Sequence, residues 1–260
     1  MTTPSAAQFP GDRTAIVTGA GSARGIGRAI AGSLAAQGWS VAVFDVDRAA
    51  VEELAAGLEQ EHGRPCYGAG LDIRDRDAVF AAVEQVEQRL PQLTGLVNNA
   101  GVSSPVPFLE VTDDEWRRVV EVNLHGTFHV TQAAAKVMAR HRVGRIVHIS
   151  STSAERGGGV YGRAAYSASK AALLGFARTL ARELGPFGIT ANSVAPGSID
   201  TDIMGGRLSE ERKAVLLRDL PIGRIGTVQD VAAVVSFLLS EAAGYLTGVT
   251  YDVNGGSHIA

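Results

Sequence analysis

Thr14-Ala-Ile-Val-Thr-Gly-Ala-Gly-Ser-Ala-Arg-Gly-Ile-Gly27 is the stretch on which the fold turns. Thr14 to Thr18 is small, apolar and β-branched, and reads as a strand. Four glycines follow within nine residues, Gly19, Gly21, Gly25 and Gly27. A helix is expected from Gly25 to Gln37. A glycine-rich turn between strand and helix lets backbone N–H groups approach a pyrophosphate, and the helix N-terminus adds its positive dipole end. Such turns are common, so the rest of the chain has to carry the reading.

Outward from this turn, short β-branched runs alternate with longer Ala-, Leu-, Glu- and Arg-rich runs. Further strands are expected at Ser40–Phe44, Pro65–Leu71, Leu96–Val97, Arg145–Ser150, Ile189–Val194 and Val249–Val253. Helices are expected at Arg48–Glu61, Asp75–Leu90, Ala164–Leu184, Ser209–Leu220 and Gln229–Leu239. Asp113–Arg140 reads as one long, bent helix. Strands that are apolar on both faces suit a parallel sheet covered by helices on both sides. With right-handed crossovers the expected class is α/β, a doubly wound sheet of about seven strands. No linker or repeat divides the chain, so one domain over residues 1–260 is expected. Residues 1–12 are expected to be a flexible N-terminus. The irregular stretch 198–226 is expected to be a flap over a site.

Composition narrows the class further. The chain has 260 residues, 45% of them hydrophobic, and a net charge of −3. Disorder is excluded, and so is the basic footprint that nucleic acid or an anionic membrane would require. Cys66 is the only cysteine, so no intrachain disulfide can form. His125, His129, His141 and His148 fall on elements that should not converge, and no metal site is expected. The N-terminus lacks the pattern of a signal peptide, and Val231–Leu239 is too short to span a bilayer. A soluble cytoplasmic protein is expected.

Acidic residues sharpen the glycine turn. Asp45 ends the second strand 18 residues after Gly27, near the spacing at which a carboxylate accepts hydrogen bonds from an adenosine ribose. A 2′-phosphate there would meet like charge, which favours NAD over NADP. Arg24 cuts the other way, because a cation in the turn could hold that phosphate. Asp72 and Ile73, after the third strand, are placed to touch the adenine edge.

A second constellation lies in Tyr166-Ser-Ala-Ser-Lys170. Residues at i and i+4 share a helix face, so the phenol and the ammonium can share a site. A free tyrosine, with a pKa of ~10, is a poor base at neutral pH, and a nearby cation lowers that value. Tyr166 is therefore a candidate general acid/base for carbonyl and alcohol chemistry. Ser150, Ser151 and Ser153 follow the fifth strand, where open α/β sheets place ligands. Asn123 interrupts the long helix, and a water or backbone partner for its side chain would open the helix locally.

In this order, the glycine turn, Asn98-Asn99-Ala100-Gly101, Asn123, Tyr166-x-x-x-Lys170 and Pro196-Gly197 resemble the short-chain dehydrogenase/reductase family over essentially the whole chain. The resemblance implies a single Rossmann-type domain, a nicotinamide cofactor and a homotetramer. It makes Tyr166 the catalytic acid/base, with Lys170 on the nicotinamide ribose lowering the phenol's pKa. Ser151 would orient the substrate carbonyl and Asn123 would hold a relay water. Gly19, Ser22, Arg24, Gly25, Ile26 and Gly27 would surround the diphosphate. Asn99, Ala100 and Gly101 would line the cofactor, and Ile199 and Thr201 would contact the nicotinamide end. Two departures stand out. Five residues rather than three separate Thr18-Gly19 from Gly25-Ile26-Gly27. Ser151 lies 15 residues before Tyr166, whereas Ser153 has the commoner spacing of 13. Ser151 is preferred because it directly follows the strand.

The expected activity is NAD(H)-dependent interconversion of a secondary alcohol and a ketone, on a small-molecule substrate. Ser104, Glu155 and Arg163 would permit a polyol or sugar. The nearest alternative is an NADPH-dependent 3-oxoacyl-thioester reductase. A rival of another class, a catalytically silent dinucleotide sensor, predicts eroded catalytic positions. Arg207 and Arg224 could meet an anionic substrate or simply be solvated.

Overall fold

The computed structural model describes residues 8–159, 162–204, 206, 209–218 and 220–259. The glycine turn leaves an inner strand, β1 (Thr14–Thr18), in which all five residues are buried. Ala15 and Val17 join one core layer and Ile16 the other. The same alternation repeats in β2 (Ser40–Asp45), where Val41 and Val43 face one layer and Ala42 and Phe44 the other. A strand buried on both sides needs apolar residues facing both layers, and the middle residues of these strands, Ala15–Val17 and Val41–Phe44, supply them.

Around β1 and β2 stand β3 (Tyr67–Gly70), β4 (Leu93–Asn98), β5 (Gly144–Ile149), β6 (Ile189–Pro196) and β7 (Thr250–Val253). All pairings are parallel, in the order β3-β2-β1-β4-β5-β6-β7. The order reverses between β1 and β4, and a crevice opens there at the carboxyl ends of the strands. Helices α1 (Ile26–Ala36), α2 (Arg48–His62) and α3 (Arg76–Arg89) connect the first half. Asp47 and Asp75 cap α2 and α3 by accepting from the N–H groups of Ala50 and Ala78.

The expected long bent helix is three segments: α4 (Asp113–Val120), a π-helical turn (Glu121–Gly126) and α5 (Thr127–His141). The short helix α6 (Ser153–Arg156) precedes α7 (Ala164–Leu184), whose ends are those expected. Within the proposed flap lie a 3-10 turn (Asp202–Met204) and α8 (Glu210–Leu217), and α9 (Val228–Leu239) follows it. Thr227 and Asp230 form a reciprocal capping box at the start of α9.

Residues 1–7 of the expected flexible N-terminus lie outside the described residues, but Phe9 packs edge-on against Trp39 with ring centroids 6.2 Å apart. Two expected strands change length by three residues or more. β4 reaches back to Leu93 because Gly95 makes room for the Trp39 ring. β3 begins only at Tyr67, after Pro65, which has no N–H for a ladder. Among the described residues no helix is long and apolar enough to cross a membrane.

Candidate active site

The turn after β1 is held from two sides. The Gly19 N–H donates to the Phe44 carbonyl at 2.7 Å, and Gly19 itself has φ of +68°. A Cβ there would come within 2.6 Å of the Ala100 backbone, so only glycine fits. The Asn99 side chain donates to the carbonyls of Thr18 and Gly19 at 3.0 and 2.9 Å. The Thr18 hydroxyl accepts from the N–H groups of Asn99 and Ala100, both at 3.0 Å. Thr18 is a member of the site that sequence reading missed; its place directly before Gly19 was the available signal.

Two adjoining cavities open at the crevice. One, of about 550 Å³, runs along the ends of β1, β2 and β3. It is lined by Gly19, Ser22, Gly25, Ile26, Asp45, Asp72, Ile73, Asn99, Ala100, Gly101 and Thr201, eleven of the residues assigned to the cofactor from sequence. Gly25 starts α1 without a side-chain cap, so the first-turn amides of α1 keep their donors for an anion. The Asp45 carboxylate accepts from the Gly21 N–H at 2.9 Å and from the Asp47 N–H at 3.1 Å. Phe44 and Leu71 supply apolar wall. Asp72 is clasped by Arg74, at 2.6 Å in the shortest contact, and this holds its carboxyl below the usual range.

The second cavity, of about 400 Å³, surrounds Ser151, Ser153, Tyr166, Lys170 and Ile199. Thr201 and Gly101 also line it, which joins it to the first. The Tyr166 phenol and the Ser151 side chain stand next to each other in this cavity. Burial pushes the phenol's pKa up, and the Ser151 hydroxyl pulls it down less strongly. This corrects the sequence-based expectation of a phenol lowered by Lys170 in the protein alone. The ammonium of Lys170 donates instead to the Ile149 carbonyl at 2.7 Å, with Nζ 5.8 Å from the Tyr166 ring centre. Lys170 is itself buried, and desolvation pushes its pKa down to about 8.

Asn123 lines neither cavity. Its Oδ1 accepts from the Val102 N–H at 2.8 Å, and its Nδ2 donates to the Val102 carbonyl and to Ser169 Oγ, both at 3.0 Å. The backbone partner expected of this residue is thus Val102, next to Gly101. Gly27 also stands behind the cleft, packed against the Gly19 carbonyl. Arg24 points into neither cavity; its guanidinium contacts Asp200 and Asp202.

The substrate side is built from other residues than the three polar ones named from sequence. Ser104, Glu155 and Arg163 are not among the described residues lining the second cavity. Ser104 is buried in a bridge with Gly162, and Glu155 faces Asp252 and His258. Ile203, Val215 and Leu216 form an apolar wall, with Arg156 and Arg212 at the same cavity. Of the two flap arginines, Arg224 pairs with Asp230 at 2.7 Å, away from this cavity, and Arg207 lies outside the described residues.

The match with known proteins covers nearly the whole chain. The model of a family described as enoyl-(acyl carrier protein) reductase matches residues 19–258. An uncharacterized short-chain type dehydrogenase/reductase of Sinorhizobium fredii is 41% identical over 94% of this chain and 96% of its own length. The chain belongs to the short-chain dehydrogenase/reductase family. The 3-oxoacyl-[acyl-carrier-protein] reductase of Escherichia coli is 39% identical over 95% of this chain and 98% of its own. A solved structure of a short-chain alcohol dehydrogenase, so described provisionally, from Sinorhizobium meliloti superposes with a TM-score of 0.87 at 35% identity. It covers 96% of this chain and 97% of that one. The protein is accordingly an oxidoreductase acting on CH–OH groups with a nicotinamide cofactor. Open α1 amides, a ribose-height carboxylate and an apolar wall in one cleft fit that cofactor's diphosphate, ribose and adenine.

Proposed function

We propose that this short-chain dehydrogenase/reductase uses NAD(H) to interconvert a secondary alcohol and a ketone. The observation that carries the cofactor choice is the Asp45 carboxylate, fixed by two backbone N–H groups at the end of β2 inside the cleft. A carboxylate held there accepts from ribose hydroxyls and repels a 2′-phosphate.

The nicotinamide, when bound, supplies the hydride acceptor or donor. Tyr166 takes the hydroxyl proton in oxidation and returns it in reduction. Ser151, next to Tyr166 in the second cavity, orients the substrate oxygen beside the phenol. Lys170 presents its ammonium from the same helix face and steadies the cofactor ribose. Asn123 props the backbone at Val102, beside Gly101 at the junction of the two cavities. The small-molecule substrate enters the second cavity, and a homotetramer is part of the reading.

A second reading, an NADPH-dependent 3-oxoacyl-thioester reductase, is favoured by the relative at 39% identity and by the apolar wall of Ile203, Val215 and Leu216. Steady-state turnover of alcohols, ketones and a 3-oxoacyl thioester with NAD(H) and NADP(H) separates the two. Higher kcat/KM with NADPH on the thioester would overturn the first reading. Tyr166→Phe should abolish turnover with both cofactors while dinucleotide binding persists.

A further inference from the structure

The glycine turn is two residues longer than the family's usual spacing, and Arg24 lies in the longer stretch. Its Nη2 donates to Asp200 Oδ1 at 2.7 Å and its Nη1 to Asp202 Oδ1 at 3.0 Å. Ser22 of the same turn donates to Asp202 Oδ2 at 3.2 Å. The far side is tied as well. Ser103 Oγ donates to the Ile203 carbonyl at 3.4 Å, and the Asp200 N–H donates to the Gly226 carbonyl at 3.2 Å. Between these ties sits Thr201, buried and lining both cavities. The segment from Ile199 to Ile203 therefore stands where the dinucleotide cleft meets the catalytic cavity. It is pinned to the glycine turn by one guanidinium that bridges two carboxylates. A planar guanidinium suits this double contact in a way that a lysine ammonium does not.

We infer that Arg24 is a positioning residue that latches Ile199–Ile203 across the junction of the two cavities and sets how fast a dinucleotide leaves. With its guanidinium engaged by Asp200 and Asp202, it is not the reader of a ribose phosphate. The inference rests on the reading of the larger cavity as the dinucleotide cleft. It also accounts for two carboxylates beside a diphosphate site, because Arg24 offsets half of their charge.

Release of NADH, followed by stopped-flow fluorescence on displacement with excess NAD, tests the latch. Arg24→Ala and Asp202→Asn should each release NADH about 3- to 10-fold faster, the size expected of partly exposed ion pairs. The combined variant should release no faster than the quicker single one, because both break the same contact. Arg24→Asp joined with Asp202→Arg should restore slow release, a rescue that a general loss of packing would not show. Rising salt should speed release from the unaltered protein more than from Arg24→Ala. In the cofactor-free protein, the Asp200 amide should exchange its hydrogen faster in Arg24→Ala. Unchanged release together with unchanged exchange overturns the inference. So does a selective loss of NADP(H) binding in Arg24→Ala with NAD(H) binding intact. If the unaltered protein binds neither dinucleotide yet the exchange effect is present, the dinucleotide reading has failed and the latch has not.

Discussion

Ser151 stands next to the Tyr166 phenol, while Ser153, at the commoner sequence spacing, sets its hydroxyl beside Gly162 and donates its N–H to Ser151 Oγ at 3.1 Å. The two extra residues are taken up by α6 and by the glycines after it. Gly157 has φ of +81°, and the Gly159 N–H returns to the Gly162 carbonyl at 3.1 Å. Ser151→Ala should lower kcat about 10²- to 10³-fold, the cost of one donor at a reacting oxygen. Ser153→Ala should stay within a few-fold of the unaltered protein. Steady-state kinetics of both variants checks the assignment, and a reversed order would overturn it.

Asp45 sets the cofactor preference through a fixed charge. Asp45→Ser should raise kcat/KM for NADP(H) at least tenfold and lower it for NAD(H) by a similar factor, each tenfold being about 1.4 kcal/mol. A ratio unmoved by the substitution would remove Asp45 from cofactor selection.

His148 makes stability depend on pH. It is wholly buried between Asn98, whose Nδ2 lies 3.1 Å from its Nδ1, and the Phe176 ring. Burial, with the Lys170 charge adding, pushes its pKa down to about 3. In the unfolded chain it titrates near 6.5. Below about pH 6.5 the unfolded state gains a proton that the folded state refuses, so stability present above that pH is lost progressively on acidification. Between pH 7 and pH 5 this one group should cost about 2 kcal/mol. Urea unfolding at both pH values measures it. His148→Gln should flatten that part of the pH dependence.

Lys170 acts in the opposite pH range. With its pKa lowered to about 8, the ammonium is present at neutral pH and is lost as pH rises through that value. If the charged form holds the cofactor ribose, the Kd for NADH should rise roughly fivefold between pH 8 and pH 9. Lys170→Met should bind weakly at every pH without this rise. Fluorescence titration of NADH across pH 7 to 9.5 is the measurement.

Much of this was legible because it is local. Thr14–Thr18 is a strand by burial on both faces, and Ala164–Leu184 a helix by its many alanines and leucines, which outweigh Gly175. Tyr166 and Lys170 share a face by helical spacing alone. The substrate cavity was not legible. It draws Ser103, Arg156, Leu216 and Ser257 from four separate parts of the chain, and no local pattern fixes how those parts meet. How Lys170 bears on the Tyr166 phenol was not legible for the same reason. Spacing brought Lys170 near, but only the fold shows that its ammonium is aimed at Ile149 and that burial dominates. Arg24 was read as a cation for a phosphate because Asp200 and Asp202 lie 176 and 178 residues away.

The wide turn at Glu121–Gly126 also fixes a count. A π-helical turn carries one more residue than an α-helical turn would. The carbonyl of Asn123 is met by the Thr127 hydroxyl at 2.9 Å. Deleting one residue there would restore a regular helix and swing α4 about 100° around the axis of α5. Trp116 would leave its present face, and Asn123 would lose Val102. A substitution in this stretch disturbs only its own contacts, whereas an insertion or deletion re-aims every residue of α4 at once, so a change of length is what this part of the chain is least able to accept.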